Sequence, residues 1–247
     1  MFPLRDDNPT LLTPWITVLL ILVNVGVWLY VQGAGMSVDV LGRTVCAYGM
    51  IPAEITGRTG DYTGIDLGPG LPACEFGGLT LAGAFTSMFL HGGWLHLIAN
   101  MWFLWLFGNN VEDAMGHVRF ALFYLVTGAG AALAHVLAGP ESMVPTVGAS
   151  GAISGLMGAY LVLFPRVRIQ TLFVFVIILR IFAIPAWVVL ILWFATQLLA
   201  GYADPIGEGG IAFWAHIGGF VAGLALVKPF ENRALRAVRR DPPLPGY

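Results

Sequence analysis

The sequence predicts an all-α, polytopic membrane protein, a bundle of six transmembrane helices. Hydrophobic residues make up 57% of the 247 residues and charged residues only 11%, and the mean hydropathy is +0.80. Soluble domains typically carry about 25% charged residues. Six separate apolar runs account for the excess of hydrophobic residues, and the cationic residues cluster on one side of the bundle that these runs define.

The predicted spans follow the apolar runs in chain order. They occupy residues 13–31, 91–107, 120–137, 151–164, 185–200 and 211–227. Several are shorter than the roughly 20 residues that cross ~30 Å of hydrocarbon, so we expect helices that begin below the surface, beside protein or a wet cavity. The spans form one membrane domain (13–228), with a polar N-terminal segment (1–12) before it and a basic tail (229–247) after it. The first run lacks a convincing cleavage site and is interpreted as a retained span.

Charge orients the bundle. With the N-terminus inside, nine Arg and Lys residues fall in inside segments and two in outside loops, as the positive-inside rule requires. The apolar segment 171–182 contains Arg180, and as a seventh span it would move five C-terminal cations outside. We therefore interpret it as interfacial or partly re-entrant. Both termini are expected in the cytoplasm, and the membrane is expected to be a bacterial inner membrane.

A long outside loop (33–85) connects the first two spans. It contains both cysteines of the chain, Cys46 and Cys74. In an oxidising compartment they could pair as a disulfide, and two free or buried thiols are the alternative. The loop is too short and too rich in Gly and Pro to form an independent domain.

All 14 acidic residues lie outside the predicted spans. This excludes a membrane aspartyl protease, a carboxylate-based ion relay and a zinc protease of the H-E-x-x-H type. His91 and His96 are five residues apart and do not share a helical face well, so no metal site is predicted. No cofactor is expected. No folded segment carries a basic stripe, which argues against nucleic acid as a partner.

Four polar residues share one depth in the predicted bilayer. At 1.5 Å per residue, Ser150 lies roughly 21 Å above the inside edge, and His216 and His96 roughly 17 Å. Asn100 lies one turn below His96, and its side chain leans back toward it. Three spans therefore bring a serine, a histidine and a histidine–asparagine pair to one level below the outer surface.

This set of residues is suited to acyl transfer. A serine hydroxyl becomes a nucleophile when an adjacent base accepts its proton, and His216 can be that base and later the acid. With no embedded carboxylate, the arrangement would be a dyad. His96, Asn100 and the Ser150 N–H could stabilise an oxyanion. Gly148 and Gly151 would permit a sharp turn at the serine.

Structural roles compete with this hypothesis. Gly151-x-x-x-Gly155 and Gly219-x-x-x-Gly223 are small-residue packing patterns, so the fourth and sixth spans are expected to pack closely. Ser150 taken alone fits helix packing better than catalysis, and His216 alone could be a satisfied interior histidine. His135 is a rival base at roughly 22 Å, and spacing does not exclude it.

Three motifs and their order resemble the rhomboid family of intramembrane serine proteases. They are GASG (148–151), HLIAN (96–100) and AHIGG (215–219), and the resemblance covers roughly 85–228, including the stretch HGGWLHLIANMWFLWLFGNNVEDAMG (91–116). It implies Ser150 as nucleophile and His216 as base in preference to His135. His96 and Asn100 would be oxyanion donors, with Gly148, Gly151 and His91 as supporting residues.

The resemblance also implies the substrates, which are transmembrane segments of other proteins within a lipid membrane. They would be cut near the outer part of the bilayer after lateral access between spans 2 and 5. Two features depart from the family pattern: Ser154 replaces an aromatic residue that stacks on the base histidine in many members, and the outer loop lacks a Trp-Arg pair. A catalytically inactive rhomboid-like binder or escort of membrane proteins is the main alternative. A small transporter or channel fits less well, because no acid is embedded.

Overall fold

The computed structural model of the protein describes residues 2–66, 68, 73–77, 80–175, 178–204 and 211–240. The end of the basic tail and parts of the outer loop lie outside these residues. The described helices are α1 (Trp15–Gly26), α2 (Val38–Tyr48), α3 (Pro52–Thr56), α4 (Thr80–Thr86), α5 (Trp94–Met115), α6 (His117–Ala138), α7 (Ser150–Leu163), α8 (Ala186–Ala203), α9 (Phe213–Phe230) and α10 (Arg233–Arg240). The described strands are β1 (Phe2–Asp6), β2 (Gly64–Ile65), β3 (Cys74–Glu75), β4 (Arg168–Phe175) and β5 (Ile178–Pro185).

The predicted spans correspond to α1, with the π-helical turn Val27–Val31 that continues it, and to α5 to α9. Within the described residues, α6, α8 and α9 are long and apolar enough to cross a bilayer, and Trp15–Val31 and α7 are shorter apolar helices. The mostly helical membrane fold is therefore confirmed. The count of six spans stays a prediction, because only three of the described helices meet both conditions.

A three-stranded sheet adds to the helices and was not predicted. β4 and β5 pair antiparallel along their whole length, and β1 pairs antiparallel with β4. Their sequences are rich in β-branched and aromatic residues, which favour strands. The described residues of the segment 171–182 therefore lie in two paired strands and not in a seventh helix. The N-terminal segment, expected only to be short and polar, contributes β1 to the same sheet.

α7 lies at the centre of the bundle, where residues 151–160 are all buried. Glycines allow α9 to approach it backbone to backbone. A Cβ at Gly219 would overlap the carbonyl oxygen of Gly151, and one at Gly223 would overlap that of Gly155. The predicted packing of these two helices is thus present, and it brings the start of α7 next to the start of α9.

The inner end of α5 extends beyond the predicted span and buries two carboxylates. Glu112 accepts hydrogen bonds from the backbone N–H groups of Ile16 (2.9 Å) and Thr17 (2.8 Å) and from the Thr17 hydroxyl (2.6 Å). Asp113 accepts from the N–H of Leu11 at 2.9 Å. Glu112 thus satisfies N–H groups in the first turn of α1 that have no partner within the helix, and Asp113 binds the segment that leads into α1. Both acids lie beyond residue 107, where the predicted span ends, so the absence of acids from the spans stays a prediction.

The described part of the outer loop contains helices α2 and α3, and β2 paired with β3. A disulfide joins Cys46 in α2 to Cys74 in β3. Met50 and Thr146 exchange backbone hydrogen bonds of 3.0 and 2.8 Å. The loop is thereby attached to the segment that leads into α7.

Candidate active site

The segment before α7 presents Ser150 at the first position of that helix. Gly148 has a positive φ of 130°, and its N–H donates to the Ser87 carbonyl at 2.9 Å. A Cβ at Gly148 would lie 2.8 Å from the Nε2 atom of His96. Both the backbone angle and the histidine ring therefore require glycine here.

Ser150 and His216 form a hydrogen-bonded pair. The Oγ atom of Ser150 lies 2.8 Å from the Nε2 atom of His216, which belongs to the first turn of α9. The helices reach this distance because of the glycine contacts between α7 and α9. A serine within hydrogen-bonding distance of an imidazole is the arrangement that nucleophilic catalysis needs.

Gln197 of α8 completes the surroundings of His216. Its Oε1 atom lies 2.9 Å from the Nδ1 atom of His216, and the Trp193 ring lies 6.0 Å from the imidazole, centroid to centroid. Neither residue was singled out from the sequence. Thr196 and Gln197 are hydroxyl and amide side chains in an otherwise apolar predicted span, and that was the available signal.

Ser154, which stands where many rhomboids have an aromatic residue, does not contact His216 by stacking. It is buried, and its hydroxyl donates to the Ser150 carbonyl oxygen at 2.7 Å, one turn back along α7. Hydroxyls often bond in this way within helices. Besides its hydrogen bond with Ser150, His216 is therefore contacted by side chains of α8 and not by residue 154.

His96 and Asn100 lie on α5 and line the same cavity as Ser150. The Nδ1 atom of His96 accepts a hydrogen bond from the Gly92 N–H at 3.2 Å, which leaves Nε2 directed over Gly148. Asn100 is buried, and its amide donates to the His96 carbonyl at 3.0 Å. The amide has a second N–H for a further acceptor. The two side chains thus border the same cavity as Ser150.

Two of the predicted residues occupy other places. His135, the rival base, has its Nε2 atom 2.9 Å from the Thr146 hydroxyl and not in hydrogen-bonding contact with Ser150. Gly151 lies within α7 and not in the turn before the serine. A Cβ at Gly151 would come 2.7 Å from the Cβ of Ala131 on α6, so its role is helix packing.

His91 precedes α5 and is fully buried. Its ring stands edge-on to that of His96, with centroids 5.1 Å apart. Its backbone is held by the Gln32 side chain, which donates to the His91 carbonyl at 2.7 Å and accepts from its N–H at 2.9 Å. His91 therefore packs against the ring of His96 and makes no hydrogen bond with Ser150.

A cavity of about 560 Å³ opens onto the serine. Its walls are largely apolar, and Ser150, His96, Asn100 and His216 are among the residues that line it. Such a combination is typical of binding sites for extended or apolar ligands. No group of three or more metal-ligating side chains occurs among the described residues.

The chain is similar to known proteins of one family. A family model described as Rhomboid domain matches residues 79–231, more than half of the chain. RHOMBOID-like protein 6, mitochondrial, of Arabidopsis thaliana is 43% identical over 76 residues, 31% of this chain and 24% of that protein. Rhomboid-like protein 11, chloroplastic, of the same plant is 34% identical over 146 residues, 58% and 50%.

A third relative has a protease name. Rhomboid-like protease 5 of Toxoplasma gondii is 33% identical over 142 residues, 56% of this chain and 15% of that protein. The chain spans half or less of the length of these relatives. Two of them are named for mitochondria or chloroplasts, so they lend no support to the expected bacterial inner membrane.

Proposed function

Because the chain belongs to the rhomboid family of membrane proteins, we propose that it is a serine endopeptidase that hydrolyses peptide bonds within or near transmembrane segments of other membrane proteins. The observation that carries the proposal is the 2.8 Å distance between Ser150 Oγ and His216 Nε2, two residues that line a cavity. The mainly apolar walls suit a substrate that arrives from the lipid.

In the first half of the reaction the Ser150 hydroxyl attacks the carbonyl carbon of the scissile peptide bond. Its proton passes to the Nε2 atom of His216 along the hydrogen bond that already joins the two side chains. The carbonyl oxygen becomes negatively charged. His96, the free N–H of Asn100 and the N–H of Ser150 at the start of α7 would donate to it.

The protonated His216 then gives its proton to the nitrogen of the leaving amine, and the peptide bond breaks. The acyl group remains on Ser150 as an ester. In the second half a water molecule attacks this ester and passes a proton to His216. His216 returns that proton to the Ser150 oxygen as the ester bond breaks, and the acid product leaves with the serine restored. No carboxylate takes part in these steps, so the catalytic unit proposed is a dyad.

The proposed topology places the amino and carboxyl ends in the cytoplasm, with the serine opening toward the outside. The support is the excess of Arg and Lys in the predicted inside segments. A bacterial inner membrane satisfies the same charge rule. A reporter at the C-terminus should be detected on the cytoplasmic side, and detection outside would reverse the orientation.

Labelling with a fluorophosphonate, which reacts with activated serines, tests the assignment. The wild-type protein in detergent should be labelled, Ser150→Ala should not, and His216→Ala should be labelled at least about a hundredfold more slowly, in line with the size of general-base effects. His135→Ala is the matched control and should be labelled normally. Cleavage of a reporter protein with one transmembrane segment should depend on the same two residues.

The outcomes separate the competing functions. Labelling that survives Ser150→Ala refutes the nucleophile. If His135→Ala loses labelling while His216→Ala is still labelled, the general base is His135 and not His216. A folded wild-type protein that the probe never labels supports the alternative of an inactive rhomboid-like binder, which would still associate with membrane proteins but cut none of them.

A further inference from the structure

We propose that Gln197 is the positioning residue for His216, holding its imidazole in the tautomer that offers a lone pair to Ser150. The inference rests on the proposed function, because it concerns the same dyad. Its basis is the 2.9 Å distance between Gln197 Oε1 and His216 Nδ1, on the side of the ring opposite Ser150.

The orientation of the Gln197 amide follows from its neighbours. Its Nε2 atom donates to the Thr196 hydroxyl at 3.2 Å and to the Trp193 carbonyl at 3.4 Å. The Thr196 hydroxyl donates its own hydrogen to the same carbonyl at 2.6 Å, so its oxygen can accept the hydrogen bond from Gln197. If the amide were flipped, Oε1 would face the Thr196 hydroxyl oxygen and the Trp193 carbonyl oxygen, which both act as acceptors here. The hydrogen bonds therefore assign Oε1 to the position that contacts His216.

This orientation decides the tautomer of the histidine. Oε1 is an acceptor only, so the His216 Nδ1 atom must carry the hydrogen. A neutral imidazole then has its lone pair on Nε2, where it accepts the Ser150 hydroxyl. The opposite tautomer would put two acceptors in contact at Nδ1 and would give Ser150 no base. The uncharged amide of Gln197 thereby orients His216 in the way that a carboxylate orients the histidine in other serine hydrolases.

The position of Gln197 also accounts for Ser154. The ring of His216 has no aromatic partner on α7, since residue 154 bonds back to its own helix. Two residues one turn apart on α8 contact it instead, Gln197 through the hydrogen bond and Trp193 through its ring. α8 contributes no proposed catalytic group, so these contacts link a neighbouring helix to the dyad.

The test compares Gln197→Met, Gln197→Glu and Leu198→Met by the rate constant of fluorophosphonate labelling across pH. Methionine keeps the volume but removes the acceptor, so the plateau rate should fall about tenfold, about 1.4 kcal/mol in activation free energy and within the worth of one hydrogen bond. Glutamate keeps an acceptor oxygen whether ionised or not and should restore the rate to within about threefold. Leu198→Met, the neighbouring exposed position, should leave it unchanged.

The pH profile separates positioning from mere support of the fold. The titratable groups that face His216 are His96 on α5 and His135 on α6. Protonated His216 donates from both nitrogens, so losing the acceptor at Nδ1 destabilises the protonated ring. The acid side of the Gln197→Met profile should therefore move to lower pH, with an unchanged melting temperature. A merely structural loss would lower the rate at every pH.

A Gln197→Met protein with wild-type rate and profile overturns the inference while leaving the proposed function intact. A wild-type protein that does not label at Ser150 removes the proposed function itself. Should Gln197→Met fail to fold, the imidazole ¹⁵N chemical shifts of His216 in the unmutated protein give the answer. A hydrogen on Nδ1 supports the inference, and a hydrogen on Nε2 overturns it.

Discussion

Replacing Gly223 by alanine is expected to separate α9 from α7 and to disable the site from a distance. A Cβ at residue 223 would overlap the Gly155 carbonyl oxygen and would lie 2.7 Å from its carbonyl carbon. Ordinary van der Waals contact begins at 3.4 Å, so the two helices must part locally by at least 0.7 Å. Both obstructing atoms belong to the backbone of a buried helix, which cannot rotate away as a side chain would.

The size of the effect follows from this displacement. If α9 moves as a rigid helix, the distance from Ser150 Oγ to His216 Nε2 grows from 2.8 Å to about 3.5 Å or more, at or beyond the limit of a hydrogen bond. Overpacking of this kind costs about 1–3 kcal/mol, which lowers the melting temperature by roughly 5 °C in a chain of this length. A misplacement of about 1 Å can cost a hundredfold in rate, so labelling should slow by about tenfold or more.

Melting temperature and labelling rate would be measured on Gly223→Ala beside Gly26→Ala. Gly26 has helical backbone angles, φ −61° and ψ −46°, and a Cβ there meets nothing within 4 Å. Its substitution should be neutral or stabilising by up to about 1 kcal/mol, because alanine restricts the unfolded chain. If Gly223→Ala labels and melts like Gly26→Ala, the glycine contact does not set the distance between the dyad residues.

Two further substitutions distinguish effects on the site from effects on the fold. Gly148→Ala strains a backbone with φ 130° and displaces the His96 ring, so labelling should slow by more than about tenfold; a normal rate would remove His96 from the oxyanion side. Glu112→Gln turns an amide toward donors that now bond a carboxylate, which should cost about 1.5–3 kcal/mol and lower the melting temperature. The labelling rate at 20 °C or below should stay normal. A slowed rate would show that the contact between α5 and α1 affects the geometry of the dyad.

Much of the proposed site could be predicted because helix geometry converts sequence position into depth. Ser150, His216, His96 and Asn100 lie on three apolar segments at matching distances from the predicted inner edge, and the structure brings them around one cavity. The close approach of α7 and α9 was also readable, since a glycine every fourth residue marks one face of a helix.

Other contacts could not be derived from spacing. Gln197 reaches His216 only because α8 turns one particular face toward α9, and rotation about a helix axis is set by packing that one sequence does not reveal. Glu112 illustrates a related failure. The apolar run ends at Phe107, but the helix continues to Met115, since the carboxylate finds its partners in the N–H groups that begin α1.

The geometry divides control of His216 between two helices. Glycine contacts with α7 set how close the histidine on α9 comes to Ser150, through backbone atoms that have little freedom. Gln197 on α8 sets which nitrogen of His216 carries the hydrogen, through a single hydrogen bond from a helix whose described side chains are mostly exposed or half-buried. Distance and tautomer are thus independent properties. Any movement of α8 that parts Gln197 from His216 would leave the distance intact and alter the tautomer alone.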